Sequence, residues 1–245
     1  MLFFSKPKQS LADLIPDGYT DIHSHLLPGI DDGATDIADT ASLIKSLEEL
    51  GFKNFITTPH ILTGVWNNTS EGIKETESET IARLPEYGIK APLKSAAEYL
   101  MDDTFLSLLK TDKLLTLKEN YVLVEMSYLN APMQLYDIIY ELQLRDYKPV
   151  LAHPERYNFY SGKIDEFHKL KKAGCLFQLN LLSVTGYYGK APLETAKKLL
   201  EAGMIDFTGS DVHHQRHVEA IKSKVLLKDT AALINAMKRN QFFSC

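Results

Sequence analysis

Asp21-Ile22-His23-Ser24-His25-Leu26-Leu27-Pro28-Gly29-Ile30-Asp31-Asp32-Gly33 is the stretch from which the rest of the chain is read. Its opening residues read as a short strand, so His23 and His25, two apart, project from one face and can share a metal ion. The Pro28-Gly29 turn then brings Asp32 back toward them, and a hard carboxylate beside neutral imidazoles suits a divalent transition ion. Histidine pairs on strands also occur as ordinary core or surface residues. The positions of the remaining acids and histidines decide between the two.

The chain has 245 residues, 44% of them apolar, enough for one large core. A single domain over residues 1–245 is expected, with residues 1–18 as an N-terminal arm. A formal charge of −5 argues against a nucleic-acid-binding surface. Cys175 and Cys245 are too few for a disulfide framework and form no C-x-x-C, which fits reducing conditions. Met1–Pro7 opens with only four apolar residues, short of the apolar core of a signal peptide, and no stretch approaches a membrane span. These features together predict a cytoplasmic protein.

Working outward, a strand–loop–helix unit recurs. Strands are predicted at Tyr19–His23, Lys53–His60, Ala91–Glu98, Tyr121–Met126, Lys148–His153, Cys175–Asn180 and Ile205–His213. Helices are predicted at Thr35–Leu50, Ser70–Leu84, Asp103–Leu109, Pro132–Arg145 and Ile164–Ala173, with another starting near Pro192 and further helical pieces at the end. Such alternation implies a parallel sheet with right-handed crossovers. Seven strands is one short of the common eight, so the expected α/β fold is a distorted (β/α)7 TIM-like barrel, with an open doubly wound sheet as the alternative.

In such a barrel the strands' C-terminal ends carry the active face. The first strand ends in His23 and His25, the second in His60, the third in Glu98, the fourth in Glu125, the fifth in His153, and the seventh in Asp211 and His213. Five of the eight histidines therefore fall on one rim, which chance scattering does not produce. Arg156 stands three residues past His153, next to the same rim. No Cys-x5-Arg loop exists, because Leu181 stands six residues past Cys175.

Taken together, His23-x-His25 with Asp32, Thr58-Pro59-His60, Glu98, Glu125, His153-Pro154-Glu155-Arg156 and Ser210-Asp211-x-His213 resemble the motifs of the PHP (polymerase and histidinol phosphatase) superfamily, over about Tyr19 to His213. His23–Ala34 and Leu151–Tyr157 most resemble its bacterial capsule and exopolysaccharide tyrosine-phosphatase branch, the CpsB/YwqE type. That resemblance implies three divalent metal ions, usually manganese or iron, with zinc or magnesium as alternatives. By the same resemblance, His23, His25, Glu98 and Asp211 would hold one ion. Glu98, bridging, would join Glu125 and His153 on a second, and Asp32, His60 and His213 would hold the third. Four carboxylates against three divalent ions leave about two positive charges to receive a phosphate dianion.

The resemblance further implies hydrolysis of phosphotyrosine by metal-activated hydroxide, on the tail of a bacterial tyrosine autokinase that controls capsular or exopolysaccharide synthesis. It also implies that Arg156 can fork two N–H groups onto the phosphate and that a second arginine follows the Asp-x-His motif, for which Arg216 is the candidate. Trp66, Tyr187 and Tyr188, on the loops Ile61–Ser70 and Ser183–Lys190, are candidates to pack on a substrate ring. A small-molecule phosphoesterase such as histidinol phosphatase, a 3′–5′ exonuclease and a non-catalytic kinase-binding regulator remain as alternative readings.

Overall fold

The computed structural model describes residues 9–244; the readings of Met1–Pro7 and Cys245 lie outside them. In chain order the first elements are β1 (Tyr19–Asp21), α1 (Ile37–Glu49), β2 (Phe52–Thr57), β3 (His60–Ile61), α2 (Ser70–Arg83), β4 (Leu93–Ser95), β5 (Glu98–Leu100) and α3 (Asp103–Thr111). They are followed by β6 (Tyr121–Glu125), α4 (Leu135–Leu144), β7 (Lys148–Ala152), α5 (Ile164–Lys172), β8 (Leu176–Asn180), α6 (Lys190–Glu201), β9 (Phe207–Gly209), α7 (Gln215–Ile221) and α8 (Ala231–Arg239).

Local chemistry accounts for the helix ends. Asp36 caps α1 by accepting from the Asp39 N–H at 2.9 Å, Ile37, Ala41, Ile44 and Leu47 bury one face, and Gly51, at φ +99°, turns the chain into β2. Thr69 caps α2 through the Gly72 N–H, and Asp102 caps α3 through the N–H groups of Thr104 and Phe105.

Every strand pairing is parallel, as the alternation predicts, but the strands form two sheets rather than one. One runs β1-β2-β4 and the other β3-β5-β6-β7-β8-β9. The predicted second and third strands are each broken in two. Pro59, without an N–H, interrupts the second between β2 and β3. Backbone bonds from Ala96 to Thr57 (2.9 Å) and from Glu98 to Pro59 (3.1 Å) continue the pairing of these two chain segments through the break. At the other side, Ser24 and Val212 form an isolated parallel bridge, and the Asp211 N–H donates to the His23 carbonyl at 2.7 Å. Between β1 and β9 the side chain of Asn240, fully buried, stands in for a ladder: Nδ2 donates to the carbonyls of Thr20 (2.9 Å) and Thr208 (2.7 Å), and Oδ1 accepts from the Thr208 N–H (3.1 Å).

The strands are buried on both faces. Along β6, Val122 and Val124 belong to the large cluster packed under the helices, while Leu123, facing the other way, joins a smaller one with Ile22, Ile56, Ala96, Val150 and Ala152. Leu11 and Leu14 of the N-terminal arm are buried in the large cluster as well. β1 and β9 are shorter than predicted. His23, His25, Asp211 and His213 therefore sit on the segments just past these strands rather than on the strands themselves.

Candidate metal centre

Nine sequence-predicted ligands come together here: His23, His25, Asp211 and His213 on the segments just past β1 and β9, Asp32 on the loop before α1, Glu125 at the end of β6 and His153 just past β7. His60 and Glu98, expected to end their strands, instead open the short strands β3 and β5. Glu98 is at the middle. Its Oε2 lies 3.1 Å from His23 Nε2, 3.6 Å from His25 Nε2 and 3.3 Å from His60 Nδ1, and its Oε1 lies 3.1 Å from His153 Nε2. Asp211 Oδ1 lies 3.3 Å from His23 Nε2, 3.4 Å from His25 Nε2 and 3.5 Å from His213 Nδ1. Glu125 Oε1 is 3.2 Å from His60 Nδ1, and Asp32 Oδ1 is 3.6 Å from His60 Nε2 and 3.5 Å from His213 Nε2. His60 thus stands between the Glu98–Glu125 pair and Asp32.

The donor atoms form overlapping groups of a size that suits single cations: His23, His25 and Asp211; His60, Glu98 and Glu125; His23, Glu98 and His153; and His25, Asp32, His60 and His213. His25 Nε2 and His60 Nδ1 are buried and make no hydrogen bond. Buried nitrogens aimed at carboxylates without a bond are what a set of metal ligands leaves when only protein atoms are counted, so the residues fit divalent ions.

The electrostatics agree. Burial disfavours charge on His23 and His25, yet Glu98 and Asp211 hold the His23 pKa well above its ordinary value, and Asp31 and Asp211 hold that of His25 up at about 10. Burial likewise works against ionisation of Glu98 and Asp211, but the neighbouring histidines hold both well below the usual carboxylate range. Glu98 and Asp211 are thus held ionised with positive charge gathered on His23 and His25, while burial pushes His153 the other way, toward the neutral imidazole.

Close backbone approach makes the arrangement possible. A Cβ at Gly33 would fall 2.2 Å from the His25 carbonyl oxygen, and one at Gly209 would fall 2.5 Å from His23 Cβ. His153 (φ +34°) and Asp211 (φ +53°) adopt the left-handed conformation, strained for such residues, at the points where their strands give way to the site.

Several contributors escaped the sequence reading. Asp31 Oδ2 pairs with His25 Nδ1 at 2.7 Å, and Gln178 Oε1 pairs with His23 Nδ1 at 2.7 Å, so each imidazole presents Nε2 to the cluster. Asn180 Nδ2 donates to Asp211 Oδ2 at 2.9 Å. Gln178 and Asn180 lie on β8, the one predicted strand to which no ligand was assigned. His217 Nδ1 accepts from the His213 N–H at 3.2 Å. A polar side chain that orients a ligand has no spacing of its own in the sequence, although an Asp31-Asp32 pair does flag an acid next to a ligand.

Arg156 reaches the same centre. Its Nη1 donates to Asp211 Oδ2 at 2.6 Å, and its guanidinium lies over the rings of Tyr188 (4.1 Å) and Tyr128 (4.9 Å). A cavity of about 360 Å³ opens over the ligands, lined also by Leu62, Trp66, Leu100, Tyr128 and Arg156. Trp66 is where the sequence expects a ring contact, whereas Tyr187 and Tyr188 are not on the cavity wall and Tyr128, unpredicted, is. Arg216 is not brought to the site: it is exposed on α7 and lines no part of the cavity.

Comparison with known proteins gives a consistent picture. Residues 19–230 match the family described as capsular polysaccharide synthesis, CpsB/CapC. The tyrosine-protein phosphatase YwqE of Bacillus subtilis is 31% identical over 195 residues, 79% of this chain and 77% of that protein. The tyrosine-protein phosphatase CpsB of Streptococcus pneumoniae is 24% identical over 200 residues, 79% of this chain and 82% of its own. Among solved structures, one from the work on YwqE of B. subtilis and CpsB of S. pneumoniae, described as unique metal-dependent tyrosine phosphatases, superposes with a TM-score of 0.76 at 30% identity, covering 82% of this chain and 84% of that one. An amidohydrolase from Mycoplasma synoviae, 12% identical with a TM-score of 0.51 over 95% of this chain and 90% of its own, shares the fold.

Proposed function

Because this chain belongs to the CpsB/CapC family of capsular polysaccharide synthesis, we propose that it is, like the relatives it resembles, a metal-dependent protein-tyrosine phosphatase. It is a phosphoric monoester hydrolase, and the observation that carries this reading is Glu98, one carboxylate facing four imidazoles. In this proposal the two sheets act as a single distorted (β/α)7 barrel, supported by the Ser24–Val212 bridge and the Asn240 link.

His23, His25, Glu98 and Asp211 would hold one of three divalent ions, Glu98 with Glu125 and His153 a second, and Asp32, His60 and His213 the third; the overlapping donor groups around Glu98, His25 and His60 support this reading. The nitrogen and oxygen donors suit manganese or iron, with zinc or magnesium able to substitute. When bound, such ions supply positive charge against the phosphoryl oxygens and bring water toward ionisation near neutral pH. Arg156, pinned by two tyrosine rings and Asp211, binds and orients the phosphate at the floor of the cavity. Trp66 and Tyr128 receive the phenyl ring at its wall.

The substrate is phosphotyrosine on a protein, and the tail of a bacterial tyrosine kinase acting in polysaccharide synthesis is the proposed source. A cytoplasmic site of action accords with the two cysteines, and among the described residues no helix is long and apolar enough to cross a membrane. The test is a turnover panel with Mn²⁺ supplied. Phosphotyrosine peptide should exceed phosphoserine peptide in kcat/KM beyond the leaving-group difference between matched aryl and alkyl phosphates. Faster turnover of histidinol phosphate than of every phosphotyrosine peptide would assign the site to a small alkyl phosphate instead.

A further inference from the structure

Beside the catalytic cavity lies a second groove of about 340 Å³. The two share a wall. Leu62 and Trp66 line the cavity, whereas Ile61, Thr63 and Asn67, from the same turn, line the groove, and Leu100 lines both. The turn is tied in place: Leu62 and Trp66 exchange backbone bonds at 2.8 and 3.0 Å, the Asn67 carboxamide accepts from the Gly64 N–H at 2.7 Å, and Asn68 Nδ2 donates to the carbonyls of Ile30 and His60. The far wall is α3, which contributes Phe105, Ser107 and Leu108. Among the described residues no charged side chain lines the groove, in a chain that is 24% charged.

We propose that this groove is a specificity subsite that receives an uncharged apolar or aromatic side chain adjacent to the phosphotyrosine of the substrate. The proposal rests on the phosphatase reading, since the groove gains its meaning from a peptide whose phosphate is in the neighbouring cavity. The occupant follows from the walls. Ile61, Leu100, Phe105 and Leu108 line the groove together with hydroxyl and carboxamide side chains, none of which carries a charge to pair an incoming one. An apolar side chain instead covers surface that is already held open. The flanking residue is the nearest part of the substrate able to reach it, because Leu100 and the Leu62–Trp66 turn border both spaces.

The experiment uses the full chain with Mn²⁺ and a set of phosphotyrosine peptides whose preceding or following residue is Phe, Leu, Ser, Glu or Lys. At one of the two positions, Phe and Leu should exceed Ser roughly five- to tenfold in kcat/KM, mostly through KM. The general field of an acidic protein would place Lys first, and that ranking overturns the subsite. Ser107→Glu, an exposed position on α3, should abolish the Phe-over-Ser preference, and Thr63→Glu, on the opposite wall, should do the same. Lys110→Glu changes charge more but lies outside the groove, and should keep the preference. A preference that survives both groove variants, or equal turnover of all flanks, overturns the subsite while leaving the phosphatase reading intact. No turnover of any phosphotyrosine peptide overturns both.

Discussion

Gln178 Oε1 lies 2.7 Å from His23 Nδ1, and this pair sets which nitrogen of the imidazole faces the metal centre. Both residues are fully buried, so no water can replace the amide. Gln178→Met keeps the volume and removes the acceptor. Metal affinity should fall roughly 10- to 100-fold in a competition titration against a chelator. Unchanged affinity would show that His23 is oriented by packing alone.

Arg156 combines a planar fork with two aromatic faces. Lysine keeps the charge and loses both features. Arg156→Lys should lower kcat/KM for phosphotyrosine by about 100-fold, equivalent to about 3 kcal/mol, with metal content unchanged by elemental analysis. Turnover near that of the wild type in the lysine variant removes Arg156 from the mechanism.

Activity should depend on metal and not on thiols. Burial pushes the Cys175 thiol up to about 12, so at pH 8 only about one molecule in ten thousand carries the thiolate. Exhaustive chelation should abolish turnover and Mn²⁺ restore it, while iodoacetamide at pH 8 should leave Cys175 unmodified by mass spectrometry. The opposite pattern would refute metal catalysis.

Proton release gives an independent readout of the same centre. Asp31 and Asp211 hold the His25 pKa up, to about 10, so a cation at Nε2 competes with a proton there. Adding Mn²⁺ to chelator-treated protein in weak buffer near neutral pH should release about one proton or more per chain. Because protons and metal compete, apparent affinity should weaken as pH falls. Uptake of metal without proton release would place the ion away from His25.

Asn240 offers a stability test remote from the chemistry. Removing its amide leaves the Thr20 carbonyl and the Thr208 N–H without their buried side-chain partner, while the Thr208 carbonyl keeps only the longer bond from the Tyr19 hydroxyl. Asn240→Ala should cost about 3 kcal/mol in denaturant unfolding. A loss below about 0.5 kcal/mol would mean that β1 and β9 are held by the Ser24–Val212 bridge without it.

The local pattern of residues was sufficient for the alternation of strand and helix, the parallel pairing and the nine candidate ligands. Those properties rest on short-range periodicity, caps and the rule that loops at strand ends face one way. His23, Glu98, His153 and Asp211 could be read as candidates because metal ligands are drawn from a few residue types and these fall where strands meet loops. Tertiary structure alone decided the rest. It divided the strands between two sheets, placed Asn240 between β1 and β9, and left Arg216 in solvent while Tyr128 came to the cavity wall. It also recruited Gln178 and Asp31 to orient His23 and His25. Each of these depends on residues far apart in the chain, or on where a side chain points, meeting within hydrogen-bond or van der Waals distance. Periodicity cannot report this, because it is a property of one segment, and such a contact is a property of two.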